Sequence, residues 1–153
     1  AAAREHDALK RLVERGETVK LDDPAFPTTG VLAVANHWLA GKVAEAKGDT
    51  AAAIDHLRKA VEAEDALPYM EPPYWPVPVR PALGAVLLKA GKASEAEEVF
   101  RKDLQEWPRN GWGLLGLEQS LRAQGKADSA EIVRREFEAA WKRADVKLDL
   151  AWF

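Results

Sequence analysis

The side chains of this sequence best suited to chemistry are dispersed. His6, His37 and His56 are far apart in the chain, and none has a second His one helical turn away. Cysteine is absent. A metal site needs several converging donors, so none is expected. Gly111-Trp112-Gly113-Leu114-Leu115-Gly116 fits the dinucleotide pattern G-x-G-x-x-G. That pattern holds phosphates only when it follows a strand and opens a helix. Here a helix stopped by Pro108 precedes it, so the glycines read as close-packing positions inside the next helix. The adjacent carboxylates Asp22/Asp23 and Glu97/Glu98 point in different directions on a loop or a helix and are expected to be solvated. No Ser/His/Asp set and no P-loop occurs. Neither catalytic residues nor a cofactor are expected, which leaves recognition by surface. Six tryptophans supply the material for it, since aromatic rings offer large contact area at small entropic cost.

The elements that must position those rings are set by glycine. Gly48, Gly91 and Gly125 each follow a helical apolar stretch, and Ala53, Ala96 and Ala130 come five residues after them. Gly91 and Gly125 are 34 residues apart, and Leu83/Leu117, Leu87/Leu121 and Ala96/Ala130 repeat at that interval. Such a period predicts an all-α helix-turn-helix solenoid. A helix is expected from about Arg4 to Arg15, ended by Gly16, then a loop from Glu17 to Gly30 marked by Pro24 and Pro27. Thr28 or Thr29 could cap the helix that follows. Repeat one runs over 34–65, repeat two over 77–110 and repeat three over 111–144. Between the first two lies an insert, 66–76, whose prolines exclude a helix interior. Its Pro73-x-x-Pro76 and the following Pro78-x-x-Pro81 are formally SH3-type ligands, although such motifs are frequent by chance and the insert's aromatics serve more simply as loop anchors. The tail, 145–153, alternates Val146, Leu148, Leu150 and Trp152, which suggests a short extended segment packed on the helices.

These repeats resemble tetratricopeptide repeats. Small and large positions are met by Ala40-Gly41, Leu83-Gly84 and Leu117 in the first helices. Ala53, Ala96 and Ala130 match the second helices, followed by Leu57, Phe100 and the closing Pro108. The usual first-helix Trp is replaced by His37, Arg80 and Leu114. Repeat three departs further at Glu118, Arg134 and Phe137, as a terminal cap would. The stretch Glu64 to Trp75, Asn110-Gly-Trp and Leu121-Arg-Ala-Gln-Gly resemble a C-terminal block of long bacterial tetratricopeptide proteins. Those chains often carry export signals, so the resemblance implies either a cytoplasmic or an exported protein and a natural C-terminus near Phe153.

The resemblance also implies a concave face built from the first helices. In repeat one it would hold Trp38, Leu39, Lys42 and Glu45; in repeat two, Ala82, Ala85, Leu88 and Lys89; in repeat three, Trp112, Leu115, Gly116, Gln119 and Arg122. The expected ligand contacts are Trp38, Lys42, Ala85, Lys89, Trp112, Leu115, Gln119 and Arg122. The basic and Asn residues of the carboxylate clamp for chaperone tails are missing, because Trp38, Ala82, Trp112 and Gly116 stand where most would be. Two alternatives stay open. The face is an apolar groove for a protein or peptide segment, or it is filled from within by Met70, Tyr74 and Trp75 of the insert or Trp152 and Phe153 of the tail. The second makes the chain a structural cap or self-association module, and a homo-oligomer is compatible with it.

Composition bounds the rest. In 153 residues, 31% are charged and the net charge is −3, with Lys and Arg interspersed among Asp and Glu. Nucleic acid is not an expected partner, since phosphate neutralisation needs clustered positive charge. No apolar run approaches the roughly 20 residues that span a bilayer.

Overall fold

The computed structural model describes residues 2–23 and 25–150; Trp152 and Phe153 therefore lie outside the described residues. Among the described residues the chain forms helices in succession and no strand: α1 (Ala2–Glu14), α2 (Thr28–Ala46), α3 (Thr50–Asp65), α4 (Val79–Lys89), α5 (Ala93–Glu106), α6 (Gly111–Ala123) and α7 (Ala127–Trp141), with a 3-10 turn over Glu17–Leu21. They group into two compact units, Ala1–Val79 and Arg80–Phe153.

One device makes the three hairpins α2–α3, α4–α5 and α6–α7. Gly48, Gly91 and Gly125 are left-handed, with φ of 79°, 74° and 74°. The glycine N–H donates to the carbonyl three residues back, and the next residue's N–H donates to the carbonyl five residues back: Asp49 to Ala44, Lys92 to Leu87 and Lys126 to Leu121. This is the Schellman closure, and glycine enters that conformation without a Cβ penalty. Asp49 then caps α3 by accepting from Ala52 N–H at 3.0 Å.

Other glycines are notches. A Cβ on Gly41 would come to 2.8 Å from Leu57, so α2 and α3 close directly on each other. In the second unit Phe100, fully buried, lies against both Gly84 of α4 and Gly116 of α6, where a Cβ would overlap its ring. Gly113 faces Asp103 and Leu104, and Gly111 faces Trp141 and Leu148. All three glycines of the G-x-G-x-x-G run are occupied by packing, and the run sits inside α6.

Four details depart from the sequence reading. The segment after Gly16 is not all loop, since Glu17–Leu21 forms the 3-10 turn and α2 already begins at Thr28. Neither threonine caps α2, whose N-cap is Pro27. Asp22 does that work from upstream, accepting from Thr29 N–H at 2.7 Å and Thr29 Oγ1 at 2.6 Å. Those two bonds, the hydroxyl first, hold its carboxyl below the usual range. Glu97 is not simply solvated either, because its side chain is only 12% exposed and meets Arg101 and Lys126. In the tail, Leu148 and Leu150 are buried but Val146 is 47% exposed, and its carbonyl accepts from Trp141 Nε1 at 2.8 Å.

Candidate functional site

In the first unit, α2 carries Trp38 and Lys42 four residues apart, hence on one face. Both are half-buried. Lys42 pairs with Glu45 one turn on, so its charge is directed along the helix. Trp38 meets the insert: its ring centroid is 6.3 Å from that of Trp75, tilted by 58°. The insert is anchored a residue earlier by Tyr74, which stands edge-on to Phe26 at 5.5 Å and donates its hydroxyl to Ala25 O at 2.9 Å. Downstream, Val79 N–H donates to the Glu64 carboxylate at 3.1 Å. Met70, the third expected filler, is 37% exposed. The indole Nε1 atoms of Trp38 and Trp75 are buried and find no acceptor.

On another part of α2, His37 faces His56 of α3 with centroids 5.8 Å apart. Burial first, then the neighbouring His56 and Lys59, pushes the His37 imidazole below its ordinary value. Among the described residues no group of three or more His, Asp or Glu side chains is placed to hold a metal ion.

In the second unit, the expected contacts on α6 are Trp112, Leu115, Gln119 and Arg122, spaced as one helical stripe. The first three are half-buried and Arg122 is exposed, while Gly113, Leu114, Gly116, Leu117, Ser120 and Leu121 between them are buried. The stripe is thus the face of α6 that packing leaves available. Trp112 stands edge-on to Trp141 of α7 at 5.9 Å, and Trp141 stacks on Phe137 at 6.2 Å. Arg122 pairs with Glu118 and, at 3.9 Å, with Glu131. On α4, Ala85 is half-buried and Lys89 exposed; the neighbouring Pro81, last residue of the second P-x-x-P, is fully buried and unavailable to a partner.

Two features escaped the sequence reading. Asp103 is wholly buried on α5. One of its carboxylate oxygens accepts from Asn110 Nδ2 at 2.9 Å, and the other has no partner. Asn110 in turn caps α6, its Oδ1 accepting from Trp112 N–H at 3.2 Å. Burial raises the Asp103 carboxyl to about 6, against the pull of Asn110 and of Arg80. Arg80, standing where the repeat usually has Trp, is itself buried and pairs with Glu106 at 3.1 Å. The signal was present: Asp103 falls three residues after Phe100 on the apolar stripe of α5, and Asn before Gly-Trp is a strong N-cap.

The second feature is a groove of about 460 Å³ between α5 and α7. Leu117 and Leu121 of α6, Leu104 of α5, and Ile132 and Val133 of α7 line it. Arg101 and Gln105 rim one wall, Ser129 and Glu136 the other. It opens between two second helices over Leu117 and Leu121 of α6, and none of the expected contact residues lines it.

Successive glycine-closed helical hairpins define a tetratricopeptide-like helical-repeat fold. The MamA protein has a similar structure: its crystal structure aligns with 97% of this chain and 70% of its own, with a TM-score of 0.64 and 15% sequence identity. At that identity the likeness shows the fold alone. No protein-family model and no curated protein matches the chain. No helix among the described residues is long and apolar enough to cross a membrane.

Proposed function

We propose that residues 1–153 serve as one non-catalytic scaffold that holds a protein or peptide segment on the first-helix stripe of α6. The observation that supports this is the division of that helix. Its glycines and Leu114, Leu117 and Leu121 are consumed by packing, while Trp112, Leu115 and Gln119 stay half-accessible beside the exposed Arg122. An indole, an aliphatic side chain and a primary amide in one row suit an extended segment. The apolar pair takes its side chains, and Gln119 takes its backbone carbonyls or N–H groups. Ala85 and Lys89 on α4 are the further contacts of this proposal in the second unit; Trp38 and Lys42 on α2 are proposed as contacts of the first unit by itself.

Peptides selected from a random library against the whole chain test it. Gln119→Ala and Leu115→Asp should each lower their affinity at least tenfold with an unchanged far-ultraviolet spectrum. Selection that enriches nothing, or peptides indifferent to both changes, refutes it.

A second reading draws on one observation. Trp38 is already covered by Trp75, which favours a self-filled face on α2 and a structural role for the first unit. Under it, Trp75→Ala lowers stability and leaves every selected peptide bound.

A further inference from the structure

The groove between α5 and α7 carries an inference independent of the tryptophan faces. A knob stands beside the hole: Ile132, which lines the groove, is 61% exposed, while the floor residues Leu117 and Leu121 are 4% and 1% exposed. Ile132 thus leaves a branched apolar side chain open at the edge of a leucine-floored hollow. The rims carry opposite charge. Arg101 is on the α5 wall, its Nε and Nη2 on Glu97 and the side chain still 52% exposed. Glu136 is on the α7 wall, exposed and without an ion pair among the described residues.

A knob, an adjacent hole, a cation and an anion on one patch form a self-complementary set. An isologous contact requires that each residue meet its counterpart's partner across a twofold axis. In a contact of that symmetry each Ile132 would enter the other copy's groove and each Glu136 would meet the other copy's Arg101. A foreign helix would need its own matching knob and charges; a second copy already has both. We propose that the α5–α7 groove is a homodimer interface, each chain inserting Ile132 into the other and pairing Glu136 with the other's Arg101.

Sedimentation velocity over a dilution series tests this on the whole chain. The expected result is a mass that rises from one chain to two as concentration crosses roughly the micromolar range, the affinity of a modest interface. Ile132→Glu, at an exposed position that leaves folding intact, should abolish the dimer at every concentration. Glu136→Lys should weaken it at least tenfold by setting like charges together, and Arg101→Glu added to Glu136→Lys should recover most of that loss. A wild-type chain that stays monomeric throughout overturns the proposal, as does a dimer that survives Ile132→Glu. A double exchange no tighter than Glu136→Lys alone overturns the charge pairing.

Discussion

Replacing Asp103 by Asn isolates the energetic consequence of placing a carboxylate in the core of the second unit. The group has no exposed surface, and its carboxyl titrates near about 6 rather than at 3.8. The folded state therefore holds the proton more tightly than the unfolded chain does. Below the unfolded value the acid is protonated in both states and folding carries no penalty from it. As pH rises from about 4 to about 6 the unfolded chain loses the proton first, and stability falls; above about 6 the penalty is complete. At about 1.4 kcal/mol per unit of separation, that penalty is about 2–3 kcal/mol.

The amide introduced by Asp103→Asn cannot titrate, yet its carbonyl can still accept from Asn110 Nδ2. Its nitrogen would replace the carboxylate oxygen that lacks a partner, a cost of about 1–3 kcal/mol that does not vary with pH. The informative quantity is therefore the change with pH in the stability difference between variant and wild type. Every other titrating group is common to both chains and cancels. Urea unfolding followed by circular dichroism at pH 4, 5, 6 and 7 should show the variant gaining about 2–3 kcal/mol on wild type across that range, with the gain complete by pH 7. A difference that stays flat would refute a buried, charge-penalised carboxyl at this position.

Glu97 works in the opposite sense. Lys126, then Gln124 and Arg101, hold its carboxyl down at about 2, so its contribution is full above pH 4.5 and disappears as pH falls toward 2. With both cations half in solvent, Glu97→Gln should cost only about 1 kcal/mol at neutral pH and markedly less at pH 2, measured by the same unfolding series. Gly84→Ala or Gly116→Ala drives a methyl into the Phe100 ring and should cost about 1–3 kcal/mol by thermal unfolding. Combining either with Phe100→Leu should cost less than the sum of the single changes, and strict additivity would show that the notch is not shared. Trp75→Ala removes the cover of Trp38; both rings are half-buried, so the loss should be about 2–3 kcal/mol, below the range for a full core truncation.

The helical hairpins were legible because glycine is the residue a Schellman closure demands, and Gly48, Gly91 and Gly125 mark all three. Close packing at Gly111, Gly113 and Gly116 was legible for a related reason, since a phosphate loop needs a strand that the flanking residues do not supply. Asp103 was not seen, because a single carboxylate on a charged helix reads as solvated until its neighbours are placed. Glu97 escaped for the same cause: its cations come from one turn along α5 and from Lys126, 29 residues away. The cap of α2 was misassigned because the acceptor, Asp22, reaches Thr29 across the loop rather than from the adjacent position. The residues of the stripe on α6 were implied by the resemblance to tetratricopeptide repeats, and their accessibility comes from the burial pattern. Covering of Trp38 by Trp75 was left open by the sequence, as it depends on how Tyr74 and Phe26 anchor the insert.

The separation of roles along each first helix has a functional consequence. Where α2 meets α3 and where α4 and α6 meet α5, contact is made by a large side chain entering a glycine notch, Leu57 at Gly41 and Phe100 at Gly84 and Gly116. These contacts fix interhelical distance with few residues, and a missing Cβ leaves no slack to redistribute. Residues on the remaining face, such as Leu115 and Gln119, are half-buried and enter none of these notches. If the proposed site is right, changes there would alter recognition and leave the helices in place, whereas changes at the notches would alter the scaffold itself. The same logic places the Asp103–Asn110 cap on the scaffold side: it fixes the first turn of α6, and with it the point from which Trp112 begins the stripe.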